Sequence, residues 1–395
     1  MKEENKDKTK TKTVSNKSIQ KIIFFIFLAV IIVIISARYI TDEEFRNFVN
    51  SNILRKEVSE STLTSIEIDA DKNPSAYAYD KYICILNENK FIEYNSDGKI
   101  EAELDVNISV PLVSTDGKYI AIAEKGGQKL YLVSGTNIVW QTEVEGSISN
   151  IKVNENGYVS IVIKDTTYKS VVAFYDASGV EQFKIFLSTS YVVCTDISPN
   201  NNYLAIGEVD YYGTVIKSIV KIYSVEKARQ NPDPNYSTIY TYESDNNEII
   251  TNINYQNKDY AICMFNNYIQ KVTIDSNERL YDVTEDDLFI DINLKDSIAI
   301  VDKQSSGLFS YEYEVIIKNT NTNLENLYIL DSDLPKTIYI CGNNIGINLS
   351  NEVQFVNSNG WLLKKYTSSQ QIQNLVIGDS IAGIIYKNKI EIIKL

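Results

Sequence analysis

The chain has no histidine among its 395 residues, and this absence excludes several kinds of active site. It rules out Ser-His-Asp and Cys-His nucleophile pairs, zinc sites with imidazole ligands, and histidine acid–base catalysis. Cysteine is scarce as well, with four residues and no CxxC pair. No local motif selects a catalytic residue, a cofactor-binding residue or a strong metal site, so we expect none of the three.

Basic residues are also in the minority. The chain has 38 Lys and Arg and 52 Asp and Glu, which gives a net charge of −14. Nucleic-acid binding needs a basic surface, so we expect no nucleic-acid partner. The charge is unevenly spread. Residues 1–21 carry seven lysines and three acidic residues, a net +4, which leaves −18 for the rest of the chain.

One long apolar run follows this basic segment. Ile22–Ala37 has sixteen residues, of which only Ser36 is polar. Membrane-spanning helices usually need about 17–25 residues, and the aliphatic stems of Lys21 and Arg38 can extend the run at its two ends. We therefore predict a transmembrane signal anchor over residues 22–40.

The alternative is a signal peptide that is cleaved, which requires small residues before the cleavage site. Ile35 stands at the first of these positions and is bulky, which favours a retained anchor. By the positive-inside rule, the seven lysines place the tail, residues 1–21, in the cytoplasm and the C-terminal domain outside the cell.

A short helix is predicted directly after the anchor. Thr41 and Glu44 have the T-x-x-E spacing of a capping box, and apolar residues follow at helical spacing. We expect a stalk helix over residues 41–58 within a linker that spans residues 41–61.

From residue 62 onward, short Ile-, Val- and Tyr-rich runs alternate with Asp-Gly, Asn-Gly and Asn-Asn turns, as in strands and hairpins. Four such runs recur as one unit, clearest at residues 108–146. The mean spacing of the units is about 43 residues, and β-propeller repeats have ~40–50. The second strands are predicted to start near Tyr82, Tyr119, Tyr158, Tyr203, Tyr260, Ser297, Ile345 and Ile381.

The two ends of this region fix the number of units. After seven units the C-terminus supplies only three strands, while Leu63–Ala70 is one strand left over at the start. Joined, they complete an eighth blade and close the ring, which removes an exposed sheet edge. We predict an all-β, eight-bladed β-propeller over residues 62–395. Seven blades, or a pair of β-sandwiches, are the alternatives.

The unit at residues 119–145 resembles the quinoprotein-type (PQQ-like) and WD40-like β-propeller superfamily. The resemblance lies in Tyr119–Glu124, the Leu-Tyr-Leu strand at 130–132, Gly135 and Trp140. Neither tryptophan is followed by Asp, so the WD40 signature itself is missing. Only one blade has the tryptophan of quinoprotein repeats at the matching place, and we therefore expect no bound quinone and no other cofactor. The glycine before an outer strand recurs at Gly98, Gly179 and Gly360.

The overall arrangement of the chain also resembles uncharacterised membrane-anchored propeller proteins of low-GC Gram-positive bacteria such as clostridia. The shared features are a Lys-rich tail, one anchor and a propeller rich in Ile, Asn, Lys and Tyr. This resemblance implies a cell-envelope location and no particular activity.

The four cysteines fall at repeated positions of the unit. Cys84 and Cys263 lie in second strands, whereas Cys194 and Cys341 lie in first strands. Equivalent positions of different blades are too far apart for a disulfide unless the blades adjoin. We expect buried free thiols, with a disulfide or a thiolate metal site as the alternative.

A weak calcium candidate lies near the start of the propeller. Asp69, Asp71, Asn73 and Asp80 have part of the spacing of a calcium loop, but Pro74 stands where that loop needs glycine. An ordinary acidic turn is the alternative.

Two segments are candidates for a binding surface. The insertion at residues 227–236 is the longest in the repeats, and it is either a contact loop or an inert insertion. Tyrosines at strand ends can line a binding face or simply pack between strands. The candidate binding residues are Arg229, Asn231, Asp233, Tyr236, Tyr211 and Tyr212.

These observations favour a membrane-tethered, extracellular propeller that acts as a non-catalytic binding or scaffold module for a protein or another cell-envelope component. The alternative is a carboxylate-based cell-surface enzyme, a glycosidase or polysaccharide lyase, with its site at the central channel. The sequence does not indicate the oligomeric state.

Overall fold

The computed structural model of the chain describes residues 16–42, 45, 49, 53, 63–69, 74–87, 89–211, 215–306, 310–330 and 334–395. The chain divides into two compact units, Met1–Lys56 and Glu57–Leu395.

The first unit contains the apolar helix α1, Asn16–Thr41. Its 26 residues are roughly 39 Å long at 1.5 Å per residue, which exceeds the ~30 Å hydrocarbon core of a bilayer. The stretch Phe24–Thr41 is apolar enough to cross a membrane, and none of it is buried within the protein. Membrane anchors and signal sequences share this length and composition.

The predicted capping box after α1 is shifted by one residue. Thr41 is the last residue of α1, and its hydroxyl donates to the Ala37 carbonyl at 2.9 Å. Asp42 accepts instead from the Phe45 backbone N–H, at 3.1 Å. The predicted stalk helix at 41–58 otherwise lies largely outside the described residues, and so does the predicted N-terminal tail up to residue 15.

The second unit consists of eight four-stranded antiparallel sheets, which confirms the predicted eight-bladed propeller. Blades 1 to 7 each take four consecutive strands, from an inner strand at the central channel to an outer strand at the rim. The blades comprise, in order, β2 Ser75–Tyr79, β3 Tyr82–Asn87, β4 Lys90–Tyr94 and β5 Ile100–Asp105; β6 Pro111–Asp116, β7 Tyr119–Glu124, β8 Lys129–Ser134 and β9 Asn137–Glu143; β10 Ser147–Val153, β11 Val159–Lys164, β12 Ser170–Tyr175 and β13 Glu181–Leu187; β14 Tyr191–Ile197, β15 Tyr203–Asp210, β16 Lys217–Ser224 and β17 Thr238–Glu243; β18 Ile250–Tyr255, β19 Tyr260–Phe265, β20 Tyr268–Thr273 and β21 Asn277–Asp282; β22 Asp287–Asp291, β23 Ser297–Ser305, β24 Tyr311–Asn319 and β25 Glu325–Leu330; β26 Thr337–Cys341, β27 Asn344–Asn348, β28 Glu352–Asn357 and β29 Leu362–Thr367.

Blade 8 closes the ring between the two ends of the propeller. Its inner three strands come from the C-terminus, and its outer strand β1 comes from the N-terminal end of the propeller. β1 pairs antiparallel with β32, so that Thr64 faces Ile392 and Glu67 faces Lys389. The predicted closure by the two termini is confirmed. The strands are β30 Asn374–Ile377, β31 Ile381–Ile385, β32 Lys389–Lys394 and β1 Thr64–Glu67.

The burial of each strand follows from its place in the blade. Second and third strands are covered on both faces by the neighbouring blades, and β12 is accordingly buried at every residue. Outer strands are covered on one face only, and β5 alternates between exposed and half-buried residues. Apolar clusters fill the spaces between adjacent blades, including the closing space between blades 8 and 1, where Ile66, Ile83 and Ile390 meet.

One tryptophan contact fits the resemblance to quinoprotein repeats. Trp140 on the outer strand β9 stacks on Tyr175 of blade 3, with ring centroids 5.8 Å apart. Its indole also covers Gly179, which has a φ of +81°. A Cβ at Gly179 would lie 2.7 Å from the indole Cγ, so only glycine fits beneath the ring.

The insertion in blade 4 is helical. The helices α2, Val225–Gln230, and α3, Pro234–Ser237, connect β16 with β17 and explain the long spacing of this repeat. The Ser224 side chain caps α2, and Ala228 is buried in the apolar cluster between blades 3 and 4.

Candidate functional site

The C-terminal ends of the eight inner strands converge on one mouth of the central channel, which we call the exit mouth. They surround a cavity of about 710 Å³. Ligand sites in proteins commonly measure ~300–1,000 Å³. The exit mouth is therefore the main candidate site.

The wall of this cavity is more acidic than basic. Residues with amide and hydroxyl side chains, such as Asn254 and Thr115, fill the space between the charged groups. A wall of this kind attracts cations. The acidic residues are Asp80, Asp116, Glu155, Asp196 and Asp379, and the basic residues are Lys152 and Lys295.

Asp196 links three blades at the exit mouth. It lies on β14 of blade 4, and its carboxylate accepts from its own strand at Ile197 N, 2.9 Å away, and from Tyr255 N of blade 5, 2.6 Å away. The Lys152 amine of blade 3 lies 3.9 Å from Asp196 Oδ2. Burial raises the pKa of Asp196, and Lys152 opposes that rise. With both oxygens engaged and only 3% of the residue exposed, Asp196 has a structural role.

Asp116 ends β6 and faces the channel. The residue is exposed and lines the cavity, whose walls surround its carboxyl group. This desolvation, followed by the nearby charge of Asp196, raises the pKa of Asp116 to about 7. Asp116 therefore changes its charge near neutral pH.

Cys341 and Asp379 form a second polar contact, between blades 7 and 8. The Cys341 thiol donates to Asp379 Oδ1 at 3.6 Å. Burial, followed by the Asp379 charge, raises the pKa of Cys341 to about 12, so the thiol is not a nucleophile at neutral pH. All four cysteines are free, and Cys84, Cys194 and Cys263 are buried, as the sequence predicts.

Asp291, at the end of β22, is held by its neighbour along the chain. The backbone N–H and the side-chain amide of Asn293 donate to its Oδ1 at 2.7 and 2.8 Å. Burial raises the pKa of Asp291. Like Asp196, it is occupied by contacts within the protein. Asp116 also has a contact, with the Glu155 backbone, but it is exposed to the cavity.

Of the four calcium candidates, the structure describes Asp69 and Asp80, and these two lie at different places in the propeller. Asp69 follows β1 at the rim, and Asp80 follows β2 at the exit mouth. The five residues of β2 lie between them and span roughly 16 Å. Asp71 and Asn73 lie outside the described residues. Within the described ranges, no group of three or more Cys, Asp or Glu side chains could hold a metal ion.

The predicted contact loop at 227–236 is built from α2 and α3 instead of an irregular loop. Its candidate residues, Arg229, Asn231, Asp233 and Tyr236, are exposed. Asp233 caps α3, and the Tyr236 hydroxyl donates to Gln230 at 3.2 Å. They lie at the rim of blade 4 and do not line the exit mouth.

Tyr211 follows β15, at the end of the propeller opposite the exit mouth. Its ring is half-exposed and stacks on Tyr191, with ring centroids 5.1 Å apart. Tyr212 lies outside the described residues. The structure thus separates Tyr211 from both the insertion and the exit mouth.

The residues that sequence analysis missed are those of the exit mouth, Asp116, Lys152, Asp196 and Asp379. Each is one charged residue among many, and the four come from four different blades. A usable signal was present in the repeats, since Asp80, Asp116 and Asp379 each stand directly before a second strand or its turn.

A family model matches residues 54–395, and its description is a family of unknown function (DUF5711). The comparison with curated proteins gave no relative. Among solved structures, the chain is similar to a eukaryotic initiation factor, with 12% identity and a TM-score of 0.51 over 82% of this chain and 85% of that one. This likeness agrees with the fold and shows nothing more.

Two further similar structures have lower TM-scores. BamB from Moraxella catarrhalis is 10% identical with a TM-score of 0.49, covering 86% of this chain and 99% of that chain. The Cps50 (Swd1) β-propeller domain of Myceliophteria thermophila is 8% identical with a TM-score of 0.47, covering 84% and 99%.

Proposed function

The chain belongs to the DUF5711 family, and we propose that its propeller is a non-catalytic binding module that recognises a basic group of a protein or another cell-envelope component at the exit mouth. The observation that carries this proposal is the cavity of about 710 Å³ with more carboxylates than lysines in its wall. A lysine or arginine side chain of a partner complements this charge.

Asp116 is the main contact in this proposal. Among the described residues no lysine or arginine forms a salt bridge with it, and it faces the cavity. Asp379 is also exposed there and contributes a second carboxylate. Asp196 contacts Lys152 and the Tyr255 backbone, and so connects the neighbouring blades in the wall.

Peptide binding tests the proposal. We expect the full-length protein in detergent to bind tetra-lysine and tetra-arginine peptides in a salt-dependent manner and not to bind tetra-glutamate. Asp116→Asn should weaken this binding at least fivefold. Asp286→Asn, at an exposed carboxylate away from the exit mouth, is the matched control and should bind as the wild type does. Equal binding by both variants would refute the exit mouth as the site.

The location proposed for this module is the outer face of a cell membrane, with α1 as the anchor and the N-terminal tail in the cytoplasm. The seven lysines before the apolar run Ile22–Ala37 support this orientation. The resemblance in composition and layout to clostridial proteins supports a Gram-positive envelope. Protease added to intact cells should digest the propeller, whereas protection of the propeller would contradict this orientation.

A carboxylate enzyme remains the second candidate, because an acid with a pKa near 7 suits a general acid. Asp116 has this property. A glycosidase needs a second carboxylate that is free to act. Asp196 and Asp291 are engaged with backbone or amide groups, so this role would fall to another acid of the wall, such as the exposed Asp379. Release of reducing ends from envelope polysaccharides, abolished by Asp116→Asn, would favour the enzyme over the binding module.

A further inference from the structure

The charged residues of the exit mouth are unevenly distributed around the ring. The end of each inner strand and the turn that follows it border this mouth. In the consecutive blades 8, 1, 2 and 3, this part of the blade places one carboxylate in the wall of the cavity. We call these four residues the acidic arc, and they are Asp379, Asp80, Asp116 and Glu155.

The two lysines of the wall have different surroundings. Lys152 lies 3.9 Å from the Asp196 carboxylate, so its charge is compensated. Lys295 is exposed and lies in the turn between the inner and second strands of blade 6. In the part of the chain that the structure describes, no carboxylate forms a salt bridge with Lys295. Its charge is therefore available to an anionic group of a ligand.

Lys295 stands on the opposite side of the channel from the acidic arc. Blades 2 and 6 are four positions apart in a ring of eight, so Lys295 faces Asp116 across the channel. The width of the channel keeps these two charges from neutralising each other. The exit mouth thus has a negative side and a positive side, with a cavity of about 710 Å³ between them.

The turn that carries Lys295 is held by both neighbouring blades. The side-chain amide of Gln256, in blade 5, donates to the carbonyls of Ile292 and Leu294 at 3.0 and 2.9 Å. The Lys295 backbone N–H donates to the Gly342 carbonyl of blade 7 at 3.0 Å. Since this backbone is already fixed, less conformational entropy is lost when a ligand binds to the lysine.

The carboxylates of the acidic arc raise one another's pKa. The Asp379 backbone N–H donates to the Asp80 carbonyl at 3.0 Å, so these two residues lie in adjoining turns. Burial raises the pKa of Asp379, and the charge of Asp80 adds to this rise. Burial also raises the pKa of Asp116, where the charges of Asp196 and Glu155 add to it. A bound cation relieves this repulsion, so the acidic arc is the side that takes a basic group.

We propose that the ligand of the exit mouth is a peptide segment with two opposite charges, a basic side chain that binds the acidic arc and a carboxylate that binds Lys295. This inference rests on the proposed function, because its basic group is the one that Asp116 binds. The cavity has room for more than one side chain, since its volume lies well inside the ~300–1,000 Å³ of ligand sites. Lys295 then sets the specificity, because it attracts a carboxylate and repels a second basic group.

Calorimetry at pH 8 with the full-length protein in detergent tests this proposal. The probes are two capped hexapeptides, Lys-Lys-Gly-Gly-Glu-Glu and Lys-Lys-Gly-Gly-Gln-Gln. The net negative charge of the propeller alone would favour the second peptide, which is the more positive one. We expect the reverse, with the glutamate peptide bound at least threefold more tightly.

Lys295→Gln should abolish this preference by weakening the glutamate peptide while the glutamine peptide binds at least as well as before. Lys164→Gln, at an exposed lysine at the opposite end of the propeller from the exit mouth, is the matched control and should keep the preference. Circular dichroism confirms that both variants are folded. Asp116→Asn should weaken both peptides.

The outcomes separate this inference from the proposed function. If both peptides bind and the wild type does not prefer the glutamate peptide, or if Lys295→Gln keeps that preference, the role of Lys295 is refuted and the basic-group site stands. If neither hexapeptide nor tetra-lysine binds, the proposed function fails and this inference fails with it.

Discussion

The Lys152 amine of blade 3 lies 3.9 Å from the Asp196 carboxylate of blade 4, and this ion pair connects the two blades at the exit mouth. The side chain of Asp196 is 5% exposed and that of Lys152 is 23% exposed. The carboxylate also accepts from Tyr255 N of blade 5 at 2.6 Å. One buried acid thus connects three consecutive blades around the channel.

Removal of the lysine should leave the acid buried without its counter-charge. We expect Lys152→Met to lower the free energy of unfolding by about 2–4 kcal/mol at pH 8, because breaking a buried pair leaves an uncompensated charge. The loss of Lys152 also raises the pKa of Asp196 further above its unfolded value. The penalty therefore grows as the pH rises and should be smaller at pH 5 than at pH 8.

Urea denaturation at the two pH values measures this difference. Lys152→Arg, which keeps the charge, is the control and should retain most of the stability. A loss that is the same at both pH values would mean that Lys152 acts by packing and not by its charge.

Glu93 should make the propeller less stable as the pH rises. It is fully buried on β4, accepts from the Tyr79 hydroxyl, and its Oε2 has no hydrogen-bond partner among the described residues. Burial raises its pKa from 4.5 to about 7. Between pH 4.5 and pH 7 the folded state therefore keeps a proton that the unfolded state has released. The resulting loss of folding stability is absent below pH 4.5 and complete above pH 7.

Glu93→Gln removes this titration. We expect the variant to be more stable than the wild type at pH 8, by up to roughly 3 kcal/mol, and nearly equal to it at pH 4.5. Thermal unfolding at several pH values measures the difference. Parallel stability curves for the two proteins would show that Glu93 does not titrate in this range.

Closure of the ring should depend on β1. Ile66 is 5% exposed and packs between blades 8 and 1. Ile66→Ala should cost about 2–4 kcal/mol, because it leaves a cavity at the seam. Ser65→Ala, on the exposed side of the same strand, is the control and should change little. If both variants unfold like the wild type in urea, pairing of β1 with β32 does not seal the ring.

A comparison of Gly179→Ala with Gly135→Ala distinguishes the destabilisation caused by backbone strain from that caused by a side-chain clash. Both have positive φ, +81° and +56°. A Cβ at Gly179 meets the Trp140 indole at 2.7 Å, whereas a Cβ at Gly135 meets nothing within 4 Å. Gly135→Ala should cost ~1–2 kcal/mol from strain alone, and Gly179→Ala should cost a further ~1–3 kcal/mol from overpacking.

A second background checks the role of the indole. Trp140→Leu removes the ring, and Gly179→Ala should then cost about as much as Gly135→Ala. An unchanged difference between the two glycines in that background would exclude Trp140 as the cause.

The fold could be predicted from the sequence because its signals are local. Strand alternation and turn residues recur within each unit, and the predicted second-strand starts at Tyr82, Tyr203 and Tyr260 are the first residues of β3, β15 and β19. The closure of the ring was also predictable from a local signal, because the strand at Leu63–Ala70 was left over before the first complete unit.

The site could not be predicted because it is assembled across blades. Lys152 and Asp196 are 44 positions apart, and neither belongs to a motif. Their proximity depends on the angle between neighbouring blades, which the strand pattern does not encode. The helices of the 227–236 insertion were missed for a related reason, since buried Ala228 stabilises α2 by packing against blade 3, a contact far along the chain.

The pH dependence of peptide binding tests the central claim most directly, which is that the exit mouth binds a basic group through Asp116. With a pKa of about 7, Asp116 is mostly protonated at pH 6 and ionised at pH 8, whereas a lysine peptide keeps its charge. Titration of tetra-lysine by calorimetry should show affinity about three- to tenfold higher at pH 8 than at pH 6. Asp116→Asn should bind weakly at both pH values. A pH dependence that persists in this variant, or no binding to the wild type, would contradict the account.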